Sequence, residues 1–519
     1  MLRLRALARV TLVAAGLSGA LVLGGAAACS SFAGDPAGPE LAETGAETGL
    51  EASVDPTDAG DGGADGHFAV RTLDVGWARV FGPPGDAGGI FAGGIAVRTS
   101  GESYTVGTYY GGAMDVGDAS LPQADGEDVF VIDLASTGDV LGERAFGSFG
   151  NQLGTGIATT NGGFFAGITF DNGLQLDTIR YSPEGPFNAD VGRFNPAFSG
   201  EHPILGTGNI QLRGLASAAG ESAIAFGEWD QSVRVVGISS SPVGRTQPGH
   251  TAIFLTRMFS PASANDAVTT FCDQGIETCT ASGLAVDGQQ RVAITGHFQG
   301  GVTLAADAGT ASSTGSGTDA YVALFDASLK PLWIRTFGGA GSEEGFAVAA
   351  VPSTTHFVVA GTFDVDLAVA GSGSVLSKGG RDIFVARIDG TGKVVWLDTF
   401  GGTDNDTVRA VTVDAAGNVF LAGTFASAVI DFGGGALKNA DTLGIGSTDV
   451  FVAWLDGTGQ YVYSTRFGGP ANEAVAGLAL DAVGHLLFAG SLQGTVDFGG
   501  KPLTSPGSSA AFVTQLTLR

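Results

Sequence analysis

From about residue 77 onward the chain is written in short apolar runs, each closed by Gly, Asp, Asn or Ser. Between 406 and 468 four such runs follow one another: "TVRAVTVD", "NVFLAGTF", "DVFVAWLD" and "YVYSTRFG". Val, Phe, Tyr, Thr and Ile dominate them, the composition of strands. No segment sustains apolar residues at helical spacing with capping signals. The pattern predicts β-strands throughout.

The four runs recur along the chain. "DIFVARIDGTGKVVWLDTFGG" at 382–402 is echoed by "DVFVAWLDGTGQYVYSTRFGG" at 449–469, "DAYVALFDASLKPLWIRTFGG" at 319–339 and "DVFVIDLASTGDVLGERAFG" at 128–147. A Gly that follows the second run marks each unit: Gly107, Gly167, Gly227, Gly296, Gly361, Gly423 and Gly490. The steps between them run from 60 to 69 residues, which makes seven units of near-constant length. Four antiparallel strands per unit, seven times over, is the arithmetic of a β-propeller whose blades cover one another. The expected fold is therefore all-β, a seven-bladed β-propeller of four-stranded antiparallel blades occupying 67–519.

Turn chemistry orients the blades. First-to-second and third-to-fourth connections are tight, as in "DAAGN" (414–418) and "DGTGK" (389–393), with Gly, Asn and Asp supplying positive φ. Second-to-third and blade-to-blade connections are long, and in an antiparallel blade these two classes share one face. That face is where a ligand or partner is expected. The seventh unit ends one strand short at "AAFVTQLTL" (510–518), and "WARVFG" at 77–82 supplies a spare. Its expected place is beside the final strand, as the outer strand of the seventh blade, which removes two open edges. "HFAVRTLD" at 67–74 also reads as a strand, without an assigned place.

The motifs "W..TFGG", "AV.VD..GNV..AGTF" and "D.FVA.LD..G" resemble the bacterial SBBP-type seven-bladed propeller repeats over 77–519, and more loosely NHL propellers. The resemblance implies this fold and an exported or surface setting, without a defined activity.

Charge narrows the partners. The chain carries 25 Lys and Arg against 52 Asp and Glu, a net charge of -27, which disfavours nucleic acid and anionic lipid surfaces. The start is different. "MLRLRALARV" is basic, "TLVAAGLSGALVLGG" is apolar, and "AAAC" follows, the layout of a secretory signal over 1–29. Two cleavage readings stand. Ala26–Ala28 suits ordinary signal peptidase after Ala28, whereas the same residues before Cys29 resemble a lipobox with Cys29 lipidated. The second is adopted, because Cys29 otherwise has no role. Ser30 after it resembles the outer-membrane pattern. Residues 30–66 hold nine Asp and Glu and no Lys or Arg, a self-repelling acidic tether. In an exported protein the remaining Cys272 and Cys279, in "FCDQGIETC", are expected as a disulfide.

Candidate chemistry is sparse. There is no G-x-S-x-G elbow or P-loop, no His with a partner at ligand spacing, and no His among the inner runs. Those runs, such as "GGIAVR", "SGLAVD" and "RAVTVD", are Gly-, Ala- and Val-rich, with Arg98, Arg213, Asp287, Arg409, Asp414 and Asp481 as exceptions. Asp404, Asn405 and Asp406 offer oxygen ligands of the kind calcium takes, as do Asp125, Glu127 and Asp128. Neither set has EF-hand spacing, and solvated loop carboxylates are the simpler reading. Tyr109, Tyr110 and Trp229 depart from the "GTF" pattern and are candidate contact residues. The expected function is a lipid-anchored, monomeric binding or scaffold module at the cell surface or outer membrane, meeting an envelope protein or polysaccharide. The alternatives are a calcium-assisted propeller enzyme, a lyase or lactonase-like hydrolase, and a purely structural envelope protein.

Overall fold

The structure is a computed structural model that describes residues 72–519, apart from 86–87, 148–149, 177–178, 182–186, 196–199, 202–203, 206–209, 231, 234–243, 246–250, 260–266, 273–277, 306–307, 370–372 and 442–445. The signal segment, Cys29, the tether and residues 67–71 lie outside the described residues. Every regular element among the described residues is a strand.

Four-stranded antiparallel pairing is the recurring unit. Residues 343–350, 357–363, 382–388 and 394–400 form one sheet in that order, and 406–413, 419–425, 449–455 and 461–467 form the next. Residues 210–218 to 267–271 and 278–286 to 331–337 repeat the arrangement. Nearer the N-terminus the sheets of 89–146 and 150–205 are joined by a short parallel pairing, Gly126 with Gly150 and Glu127 with Asn151. In the second of them the fourth strand is reduced to two fragments, Gly200–Glu201 and Ile204–Leu205, both paired with Asn188–Phe194. The last sheet takes its outer strand from the other end of the chain. Leu73–Phe81 pairs antiparallel with Ala510–Leu518, from Leu73 opposite Leu518 to Phe81 opposite Ala511.

Burial follows strand position. The second and third strands are covered on both faces, so Phe357–Phe363 and Asp449–Leu455 are buried at every residue. That is why they read as continuous apolar runs rather than alternating ones. Fourth strands such as Val394–Phe400 are mostly half-exposed. Many of the tight turns, from unit four onward, are built by an Asp whose Oδ1 accepts two backbone N–H groups, two and four residues on. Asp389 takes those of Thr391 and Lys393, and Asp414 those of Ala416 and Asn418. Asp287 and Asp481 do the same, so these Asp residues build turns.

Neighbouring sheets are tied by tryptophan. Trp333 Nε1 donates to the Gly390 carbonyl at 3.0 Å and Trp396 Nε1 to that of Gly457 at 3.2 Å, each reaching the outer turn of the following sheet. Trp77, on the N-terminal strand, donates to the Ser136 carbonyl at 2.9 Å in the corresponding turn of the first unit.

One layer was not foreseen. Between the second and third strands every unit carries a small antiparallel hairpin, for example 114–116 with 119–121, 366–369 with 373–376, and 429–431 with 436–438. The long connections are thus folded, and all seven hairpins project on the face where first strands begin.

Candidate functional site at the mouth of the central cavity

The marker glycines have a structural cause. In each first strand one residue is unpaired by a β-bulge near the marker: Gly93, Thr155, Arg213, Ser282, Phe346, Arg409 and Ala476. In six units the marker's position is closed to a side chain, because a Cβ would lie 2.0–2.3 Å from a carbonyl oxygen of the first strand. At Gly361 that oxygen belongs to Glu344, and the Phe384 ring of the third strand covers the other side. A bulge re-aims the side chain it carries. All seven bulge residues line one central cavity of about 220 Å³, built by the first strand of every unit. The inner runs of the sequence are thus its walls.

Most of this lining is small or apolar, as in Gly93, Gly94 and Ile95 or Ala476, Gly477 and Leu478. Charge is gathered on one arc, at the end facing the hairpins. Arg213 Nη2 donates to Glu228 Oε2 at 2.6 Å, and Arg381 Nη2 to Glu344 Oε1 at 3.0 Å. Thr280 Oγ1 lies 3.0 Å from Nδ1 of His297. Burial lowers the pKa of His297; Glu344 and Glu228 oppose that change, while Arg381 and Arg213 add to it. Arg409 rests its guanidinium 4.5 Å from the centre of the Phe346 ring, a cation–π contact. It makes no ion pair with any described residue.

Arg213 and Arg409 stand out in the sequence as polar exceptions of the inner runs; Glu228, Glu344 and the role of His297 do not. A signal existed. The residue after the marker is Thr or Ser in four units (Thr108, Thr362, Thr424, Ser491), whereas units three and four place Glu228 and His297 there.

The residues singled out as contacts are placed differently. Tyr109 is buried and its hydroxyl donates to the Pro122 carbonyl at 2.8 Å. Trp229 is 1% exposed. Both fill the space between sheets, so neither presents a ligand surface; bulk replaced the usual Phe inside the core. Tyr110 is half-buried and stacks on the exposed Phe91, ring centres 6.1 Å apart.

Asp404, Asn405 and Asp406 do not converge either. Asp406 is fully buried, accepting from Gly402 N at 2.7 Å and from Ser427 Oγ at 2.8 Å, and burial raises its pKa to about 6. Asn405 Oδ1 accepts from Arg381 N, and Asp404 is exposed. Their contacts hold a loop. Among the described residues no group of three His, Cys, Asp or Glu has metal-holding geometry. Cys272 and Cys279 are joined, with an S–S length of 2.04 Å.

A second use of carboxylates recurs at sheet junctions. The first Gly of "FGG" lies against the Asp that opens the third strand, so that a Cβ on Gly401 or Gly468 would meet the carboxylates of Asp382 or Asp449. The next first strand adds another acid. Glu473 accepts from Gly469 N at 3.1 Å, and Glu343 is fully buried with neither oxygen bonded to a described residue. Burial, and then Asp319, Asp364 and Asp366, raise the Glu343 pKa to about 8. Burial, opposed by the Gly469 amide, brings Glu473 to about 8.

The strand order and the shared cavity define an all-β chain of the β-propeller type. It matches no family model and no curated protein sequence. Among solved structures it is similar to Sqt1 from Chaetomium thermophilum, at 10% identity and a TM-score of 0.41, over 84% of this chain and 86% of that one. It is also similar to a streptogramin B lyase (9% identity, TM-score 0.33, 70% and 93% covered). A third likeness is to the Neurospora crassa Pan2 WD40 domain (12% identity, TM-score 0.31, 66% and 92% covered).

Proposed function

We propose that the chain is a seven-bladed propeller of the SBBP type, closed by its N-terminal strand, that acts as an exported binding or scaffold module. Closure is supported by Trp77, which makes to the first unit the contact that Trp333 and Trp396 make to the sheets after them. In this reading Cys29 carries the lipid anchor, residues 30–66 are the tether, and the partner is a protein or polysaccharide of the cell envelope. The observation that carries the binding role is the hairpin face. It gathers the seven added hairpins and exposes apolar side chains, Leu376 at 72% and Val429 at 46%. Among the described residues the turn face is built of tight loops.

The test is affinity capture from intact envelopes followed by mass spectrometry. A Leu376→Asp, Val429→Asp chain is expected to lose the captured partner. Val483→Asp is expected to keep it, since Val483 is 77% exposed in the turn 481–485 of the opposite face. Equal capture by all three chains would remove the proposal. Cys29→Ser is expected to abolish membrane partitioning, and unchanged fractionation would sink the anchor.

A further inference from the structure

The ring of bulge residues is not evenly charged, and among the described residues the pairing of charges at its mouth leaves one cation over. Arg213 is neutralised by Glu228 and Arg381 by Glu344. Burial pushes His297 toward its neutral form. Arg409 remains, in a chain with about two acids for every base. The carboxylate that acts on it electrostatically, Glu344, is already bonded to Arg381. The Arg409 guanidinium carbon lies 4.5 Å from the centre of the Phe346 ring, and the residue lines the cavity. A guanidinium resting against a ring, with its side chain lining a cavity, can offer a planar two-oxygen acceptor a pair of N–H donors. On the same ring Ser282 is exposed to the cavity.

The opposite wall is of another kind. Gly93 and the small Ala476 stand at the bulge positions, and Ile95 and Leu478 make this wall apolar. At about 220 Å³ the cavity is smaller than a drug-sized pocket, so it suits a ligand of a ring or a short chain plus one acid group. A dianion is disfavoured, because its second charge would face Glu228 and Glu344 without a free cation.

We propose that the central cavity binds a small organic monocarboxylate, its carboxylate on Arg409 and its apolar body against the Gly93, Ile95, Ala476 and Leu478 side. This deepens the binding-module reading by giving the propeller a small ligand besides its macromolecular partner. The two are separable, since the partner test concerns the hairpins alone.

Titration calorimetry on the purified exported chain, with benzoate and hexanoate as probes, tests it. Both are expected to bind with Kd tighter than about 1 mM, with benzamide, hexanamide and inorganic phosphate at least tenfold weaker. Arg409→Gln is expected to weaken benzoate at least tenfold and Arg409→Lys to restore part of the loss, with unchanged melting temperatures. If benzoate and benzamide bind alike, if phosphate competes equally, or if a folded Arg409→Gln chain keeps full affinity, the proposal is overturned. The acid-to-amide ratio on the unaltered chain decides the matter even where a variant fails to fold. Loss of carboxylate binding with partner capture intact would remove this inference and leave the scaffold reading standing.

Discussion

Replacing Glu343 by Gln should make the protein more stable at pH 8 and leave it nearly unchanged at pH 5. Glu343 opens a first strand, is fully buried, and has Asp319, Asp364 and Asp366 as its charged neighbours. Its pKa stands at about 8 in the fold, from an ordinary 4.5. Above pH 4.5 the unfolded chain releases this proton while the folded chain keeps it, so the folded state binds more protons. Stability therefore falls as pH rises from about 4.5 to about 8, and is level beyond. Each pH unit across that interval is worth about 1.4 kcal/mol, which puts an upper bound of roughly 5 kcal/mol on the whole interval for this one group. Gln keeps the shape of the protonated acid and cannot ionise. Urea denaturation followed by tryptophan fluorescence, at pH 5 and pH 8, should give a difference between the two chains of about 0–1 kcal/mol at pH 5. At pH 8 the variant should gain roughly 2–4 kcal/mol. Comparing the chains at each pH removes the general effect of the net negative charge. A variant that is equally destabilised at both pH values would refute the reasoning, because it would show an ionised, partnered Glu343.

Other outcomes follow from the same structure. Trp77→Ala removes a buried ring and its bond to Ser136, and should cost about 3–5 kcal/mol; deletion of 1–82 should lower the melting temperature further, and an unaltered one would refute the N-terminal strand's role. Gly361→Ala drives a Cβ against the Glu344 carbonyl oxygen and should cost on the order of 3 kcal/mol, whereas Gly288→Ala meets nothing within 4 Å and should stay within about 0.5 kcal/mol, both read by calorimetric melting. Replacing Cys272 and Cys279 by Ser should cost about 2 kcal/mol for so short a loop, and non-reducing peptide mapping of the parent should return the two cysteines linked.

Much of the architecture was legible because the repeat repeats its constraints. Gly361 and its counterparts recur since no side chain fits over the carbonyl of a bulged first strand, and Asp389 or Asp414 recur since one carboxylate oxygen closes the tight turns they open. Such needs leave the same letter at the same spacing. The hairpins left no such trace: strands of three residues, such as Met114–Val116, are too short for alternation to register. Tyr109 and Trp229 misled because departure from a motif reads as a surface signal, whereas here larger rings fill room between sheets. The charged mouth was half visible. Arg213 and Arg409 stood out in apolar runs, but that Glu228, His297 and Glu344 gather with them depends on several units lining one cavity, which spacing along a chain does not express.

The pairing of Leu73–Phe81 with Ala510–Leu518 also has a consequence in time. These partners are the first and last of the described strands to be synthesised, so the sheet they share cannot be completed while any part of the chain between them is still being made. A truncated product keeps a bare strand edge at each end, an invitation to stick to other chains and to proteases. Contacts this remote in sequence form slowly. Completion of this sheet therefore waits for the last strand: a chain cut short before it leaves Leu73–Phe81 without the partner it has here.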